Sequence, residues 1–450
     1  MTEGKIWKEL IKFAFPLFLG NLFQQLYNIV DSLVVGNVLG KEALAAVSSS
    51  GSLIFLLVGF VQGLFMGAGV IISRYYGAKD HKNVEVAVHT TIAFGFVAGI
   101  LLTIVGVVLT PWMLQMMGTP EDVMPNSVLY FRVYFYGALG VVMYNTTSGI
   151  FRAIGDGKHP LYYLIVSSIL NVVLDLLFVA VFDMGIAGAS LATGIAQVVS
   201  AVLSFVKLTR IDDPARVNIR KIRIDFSMLR AVLSIGLPSG VQNSVISIAN
   251  VVVQSNINAF GSLAMAGCGS YSRLEGFAFM PITSFSMALT TFIGQNIGAG
   301  RLDRVKKGTL FGVTAGVGLA EFVGILLFIF APVLVGLFNN DPEVVAYGVQ
   351  QTRIEALFFC LLSLSHCLAG IFRGAGKASV PMMVMLVFWC LVRITYITIA
   401  THFIHDIRVI FWAYPLTWSL SSITFVIYYF KANWLKEFGV ERRGKVVSVD

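Results

Sequence analysis

Two carboxylates stand out because of the company they keep. Asp175 lies inside the apolar stretch NVVLDLLFVA, with Asn171 one turn before it on the same helical face. Asp31 ends a polar stripe of Gln24, Asn28 and Asp31, spaced i, i+4, i+7 in another apolar run. Thr193 brings a hydroxyl into a third run. Counted along helices at 1.5 Å per residue, Asp31, Asp175 and Thr193 all fall roughly 10–12 Å below the outer surface of a bilayer. Carboxylate, carbonyl and hydroxyl oxygens are hard ligands that replace the water around Na⁺, and two neighbouring carboxylates equally hold a proton between them. A central Asp costs about 2.5–3.5 kcal/mol on insertion, whereas an interhelical hydrogen bond returns only ~0.6 kcal/mol. A bound cation offsets much more of that cost. The chemistry expected of these residues is reversible binding of Na⁺ or H⁺.

The second half of the chain carries its own charges within apolar runs: Arg273, Glu275, Glu321, Arg353, Glu355 and Arg393. Glu275 is followed by Phe277, Phe279 and Met280, a carboxylate among rings and a flexible thioether that suits an amphipathic cation. The competing expectation is an ion pair with Arg273 or Arg393, because intramembrane charges commonly pair. Asn243, Ser247, Asn250 and Gln254 share one face of a seventh span, opposite the stripe of the first span across an expected cavity. Gln24, Asn28, Asn243, Asn250, Gln254, Glu275 and Met280 are the substrate-cavity candidates.

Long apolar helices must position these groups. Of 450 residues, 57% are hydrophobic and 12% charged, with mean hydropathy +0.81. A soluble chain of this size carries about twice that charge. Apolar runs recur along the whole length, each long enough to cross a bilayer, and twelve spans are expected. The net charge of +8 does not point to nucleic acid. Arg and Lys cluster in alternate loops, which predicts a multi-pass plasma-membrane protein with both termini cytoplasmic. The expected parts are an N-lobe over 1–208, a cytoplasmic linker over 209–225, a C-lobe over 226–431 and a cytoplasmic tail over 432–450. The GDGK and GAGK stretches lack the spacing of a phosphate loop and fall at turns between apolar helices. His366, His402 and His405 lack the spacing of a transition-metal centre, and no nucleophile–base arrangement stands out. Neither an enzyme nor a bound cofactor is expected, nor an obligate protein partner. The partners expected are a small organic substrate and membrane lipid.

The halves repeat. At an offset of 221, Gly40 matches Gly261, Ser49 matches Ser270, Gly77 matches Gly298, and GIFR at Gly149–Arg152 matches GIFR at Gly370–Arg373. Pro16 and Pro238 correspond at 222. Six spans per copy insert the same way up, so a pseudo-two-fold axis along the membrane normal is expected. The repeat also serves as a control. The second copy has Val392 for Asn171, Tyr396 for Asp175 and Tyr414 for Thr193. The shared architecture does not require the polar set.

On these residues the whole chain resembles the multidrug and toxic compound extrusion (MATE) family, in the bacterial and archaeal branch that includes the DinF-like proteins. In that branch the N-lobe cation site is an Asp on the first helix, an Asn and Asp one turn apart on the fifth, and a Thr on the sixth. Asp31, Asn171, Asp175 and Thr193 match it. The resemblance implies cation-coupled antiport, inward Na⁺ or H⁺ driving export of organic, cationic amphipathic compounds by alternating access. A flippase for lipid-linked oligosaccharides or lipids, of the same superfamily, is the alternative; it would call for a strongly basic cavity.

Overall fold

The computed structural model describes residues 1–34, 38–39, 41–116, 119, 121, 124–436 and 438. Gly40 and all but Phe438 of the tail beyond Lys436 lie outside the described residues. The described chain is all-α, with no strand. In chain order the helices are α1 (Ile6–Val34), α2 (Lys41–Gly77), α3 (His81–Met116), α4 (Met124–Tyr136), α5 (Ala138–Ala153), α6 (Lys158–Asp175) and α7 (Gly185–Arg210). The second half supplies α8 (Phe226–Asn258), α9 (Ser262–Gly298), α10 (Leu302–Gly336), α11 (Pro342–Glu355), α12 (Phe359–Gly374), α13 (Ser379–Met385), α14 (Arg393–Phe403) and α15 (Arg408–Lys431). Helices are what hydrocarbon permits, since every backbone N–H finds its acceptor within the segment. Among the described residues ten helical segments are long and apolar enough to cross a bilayer, or eleven when α4 and α5, bent by 47°, count together. The 29-residue α1 completes the twelve; Asn21, Gln24, Gln25, Asn28 and Asp31 interrupt its apolar run.

Side chains sort as a lipid solvent demands. On α3, Val97, Ile100, Leu101, Ile104 and Val108 point outward, while Gly95, Gly99, Gly106 and Thr110 are buried. On α10 the buried face is Gly308, Gly312, Gly316, Ala320 and Gly324, one small residue every turn. Lipid tails are as apolar as leucine, so the interior is selected for close backbone approach, and the large apolar residues go outside.

Packing divides the chain into two compact units, Phe15–Leu237 and Met1–Ala14 with Pro238–Asp450. Both boundaries fall inside helices, one in α1 beside Pro16 and one in α8 at Pro238. In the second unit, Arg304 holds the start of the chain, donating to the carbonyls of Met1 at 3.1 Å, Glu3 at 3.1 Å and Gly4 at 2.8 Å. The connection after α7 is docked on the first unit. Its Asp213 accepts from the Tyr76 hydroxyl at 2.9 Å, and Asn218 N–H donates to His89 Nε2 at 2.9 Å. Asp225 ends it by accepting from Met228 N–H at 2.9 Å and Ser227 Oγ at 2.8 Å. Those donors hold its carboxyl below the usual range.

Two glycine contacts set helix spacing within the first unit. The α4–α5 bend at Gly137 lies against Gly194 of α7, whose Cα would be 2.7 Å from a Cβ at position 137. A Cβ on Gly67 would meet Gly236 N at 2.4 Å and Val232 O at 2.5 Å, backbone atoms that have no rotamer to move. Gly67→Val is therefore expected to cost at least ~1–3 kcal/mol through overpacking. Gly318→Ala, with nothing within 4 Å, should be neutral. Thermal unfolding in detergent measures both, and equal stability of the two variants would contradict the close-packing account.

Candidate cation site

The fifth and sixth spans hold three of the four expected residues. Asp175 is the last residue of α6, and a single π-helical turn, Leu176–Val181, follows it. Such turns widen a helix locally and recur at functional positions. Asp175 is fully buried, Asn171 is 1% exposed and Thr193, on α7, is 7% exposed. With the Asn171 amide set by its surroundings, its nitrogen donates to Asp175 Oδ2 at 2.9 Å, and its oxygen accepts from Thr193 Oγ1 and N at 3.2 Å each. One amide thus bridges the carboxylate and the hydroxyl.

Asp31 closes the set from α1. Its carboxyl is a hydrogen-bonding neighbour of Asp175. Among the described residues, neither Asp31 Oδ1 nor Asp175 Oδ1, both buried atoms, has a hydrogen-bond donor. Two ionised carboxylates in such contact repel strongly, so the arrangement needs a proton or a small cation. The structure brings the four residues together within one unit. It also adds residues that the sequence reasoning missed. The Tyr27 hydroxyl is a hydrogen-bonding neighbour of Thr193, Tyr130 of α4 lies within electrostatic range of the carboxylates, and Tyr134 of α4 lies within range of Tyr27. Ser190 Oγ donates to the Tyr130 carbonyl at 2.9 Å and ties α7 to α4 there. Tyr27 was findable, because it precedes Asp31 by four residues on one helical face. Nothing local marked Tyr130 or Tyr134.

The second unit contains a different buried polar cluster. Glu355, fully buried at the end of α11, accepts from Tyr271 Oη at 2.8 Å and from Gln351 Nε2 at 2.8 Å. Arg393, 2% exposed, donates to Thr417 Oγ1 from Nη2 at 2.8 Å and lies 4.4 Å from the Tyr414 ring centre. Glu275, half-buried, is within electrostatic range of both Arg393 and Glu355. The partner expected for it in Arg273 goes elsewhere, since Arg273 is exposed over the Phe338 ring at 5.8 Å. Glu321 has a structural task, accepting from Cys360 N–H at 3.0 Å where the chain breaks between α11 and α12. Gln351 and Tyr271 each precede a glutamate by four residues, the same signal that was available for Tyr27.

The remaining candidates lie on both units. Gln24 and Asn28 are exposed on α1, and Asn250 and Gln254 on α8, where Gln254 Nε2 donates to Asn258 Oδ1 at 2.8 Å. Asn243 is half-buried and Met280 is 6% exposed.

The MatE family model matches residues 16–177 and again 238–399, two copies shifted by 222 (238 − 16). The chain is 28% identical over 445 residues to the probable multidrug resistance protein YoeA of Bacillus subtilis (strain 168), covering 97% of this chain and 96% of that one. It is 30% identical over 405 residues to YpnP of the same organism, also named a probable multidrug resistance protein, covering 87% of each. Among solved structures, a MOP superfamily transporter from Pyrococcus furiosus Vc1 (DSM3638) has the same fold, with a TM-score of 0.89 at 21% identity over 98% of both chains. With its duplicated family match and its two halves of membrane-spanning helices, the chain belongs to the MatE family of multidrug and toxic compound extrusion transporters.

Proposed function

We propose that the protein is a cation-coupled antiporter of the plasma membrane that exports organic, cationic amphipathic compounds by alternating access. The observation that supports this most is the Asp31–Asp175 contact, in which two carboxyl groups meet beside Asn171 and Thr193 with buried oxygens unspent. Either H⁺ or Na⁺ serves as the coupling ion in this reading, and a shared proton would hold the two carboxyl groups together. Na⁺ would draw on the same oxygens after the Asn171 amide turns. The names of YoeA and YpnP support drug-like substrates.

In this mechanism an outside cation neutralises the carboxylate pair, and loss of the cation to the inside restores their repulsion. An inside-negative potential adds about 2.3 kcal/mol per charge per 100 mV to that cycle. Asp31 sits on α1, where Pro16 weakens the helix about four turns away, so a change at the pair has a compliant element to move. Asp175 sits against the π-turn, which can shift register at small cost.

Dye efflux from proteoliposomes tests the coupling. Asp31→Asn and Asp175→Asn should each abolish gradient-driven accumulation, which for one charge at 100 mV is roughly fiftyfold. Full accumulation by either folded variant refutes the assignment, and applying a pH or Na⁺ gradient separately identifies the ion. Glu275 and Glu355 should separate in the same assay. Glu275→Gln is expected to weaken export of a monocationic dye about tenfold while sparing a neutral substrate. Glu355→Gln should act on all substrates alike and lower thermal stability by ~1–3 kcal/mol, because it disturbs the Tyr271 and Gln351 bonds. Equal effects of Glu275→Gln on both dyes would assign that residue to the buried network.

A further inference from the structure

The second unit carries a groove of about 660 Å³ between the first turns of α10, the last turns of α12 and α15, and the segment that follows α15. Its lining changes character along its length. Lys306 and Lys436 mark one end, while Leu310, Val313, Leu364 and Leu368 form the walls further in. Val313 follows Lys306 by seven residues on α10, about 10 Å along the helix axis. Leu310 is 69% exposed, so the groove opens on the face that meets lipid.

The lysine end is built rather than incidental. Trp434 is 3% exposed, donates from Nε1 to the Tyr429 carbonyl at 3.2 Å, and packs on the rings of Phe372 and Tyr429 at 5.6 and 5.5 Å. That anchor folds residues 432–436 back against the helices and makes Lys436 part of the wall. Thr309, 4% exposed and also in the lining, is a hydrogen-bonding neighbour of the Tyr429 hydroxyl and ties α10 to the end of α15. Two lysines of the lining are thus followed by an apolar slot two turns deep.

We propose that this groove is a binding site for an anionic glycerophospholipid, with the headgroup phosphate between Lys306 and Lys436 and one acyl chain along Leu310 and Leu364. Charge complementarity selects an anionic headgroup, since each lysine near the surface favours one by about 1 kcal/mol. The apolar walls select a diacyl lipid over free phosphate, which would leave them in contact with water. Basic residues gather at this end of the lobe, with Arg301 just before α10, Lys307 on α10 and Lys431 on α15, so the positive-inside rule places the site in the cytoplasmic leaflet. The inference depends on the membrane-spanning fold and is independent of the coupling ion.

Native mass spectrometry of the full-length protein, titrated with phosphatidylglycerol and with phosphatidylcholine of the same acyl chains, tests it. Wild type should bind phosphatidylglycerol preferentially. Lys306→Ala with Lys436→Ala should weaken that binding roughly 10- to 30-fold, with phosphatidylcholine unchanged. Leu364→Trp, which fills the slot, should weaken binding of both lipids, while thermal unfolding confirms that each variant is folded. Three results would overturn the proposal. One is phosphatidylglycerol binding that is unaltered in the lysine double variant. Another is glycerol 3-phosphate competing as well as the lipid, which would make the site one for a free phosphate. The third is phosphatidylglycerol preference appearing only after residues 437–450 are removed, which would make the groove the seat of the chain's own tail.

Discussion

Contact between a half-buried carboxyl group, that of Asp31, and a fully buried one, that of Asp175, is the constraint on which the first unit turns. Asp31 and Asp175 come from different helices, and among the described residues no cationic side chain neutralises either. Structural charges in this protein look different. Glu321 caps a broken helix, Glu355 is held by a tyrosine and a glutamine, and Arg393 is held by a threonine and an aromatic ring. Each of those groups has its partner built in. The Asp31–Asp175 pair instead leaves an oxygen on each residue unspent, which is the condition for a group that exchanges ligands.

The internal duplication shows how one scaffold accommodates both uses. Asp175 corresponds to Tyr396, Thr193 to Tyr414, and Tyr134 to Glu355. Carboxylate and tyrosine therefore exchange places between the copies, and Arg393 enters where the first copy has Val172. The backbone departs from regular helix near the same groups in both copies. A π-turn follows Asp175 in one, and in the other a π-helical stretch, Leu386–Val392, leads directly into Arg393. Local widening costs helix hydrogen-bond geometry, so its recurrence beside the charged residue of each copy fits a place where side chains must be aimed rather than merely packed.

Packing around these sites follows the lipid environment. Small residues repeat on the inward faces of α3 and α10, and the bulky apolar ones face out. Close helix approach is what makes the interior dry enough for a carboxylate pair to matter electrostatically. The same inversion leaves the outer surface as an apolar wall, and the features that interrupt it, such as the groove between Lys306 and Lys436, gain significance from that contrast.

Sequence alone determined the fold class, the duplication and the family, because hydrophobic run length and a constant offset are properties of the chain itself. It also singled out Asp31, Asn171, Asp175 and Thr193, since a polar residue in an apolar run is conspicuous without coordinates. What it did not decide was which polar groups meet. Glu275, Glu321 and Glu355 look alike in sequence, yet one caps a helix, one is fully hydrogen-bonded and one is half-buried near an arginine. Tyr130 and Tyr134 reach the first site from α4, a helix whose sequence gives no hint of it. Periodicity fixes the face of a helix, but the partner across from that face is set by interhelical packing, and only the tertiary structure supplies it.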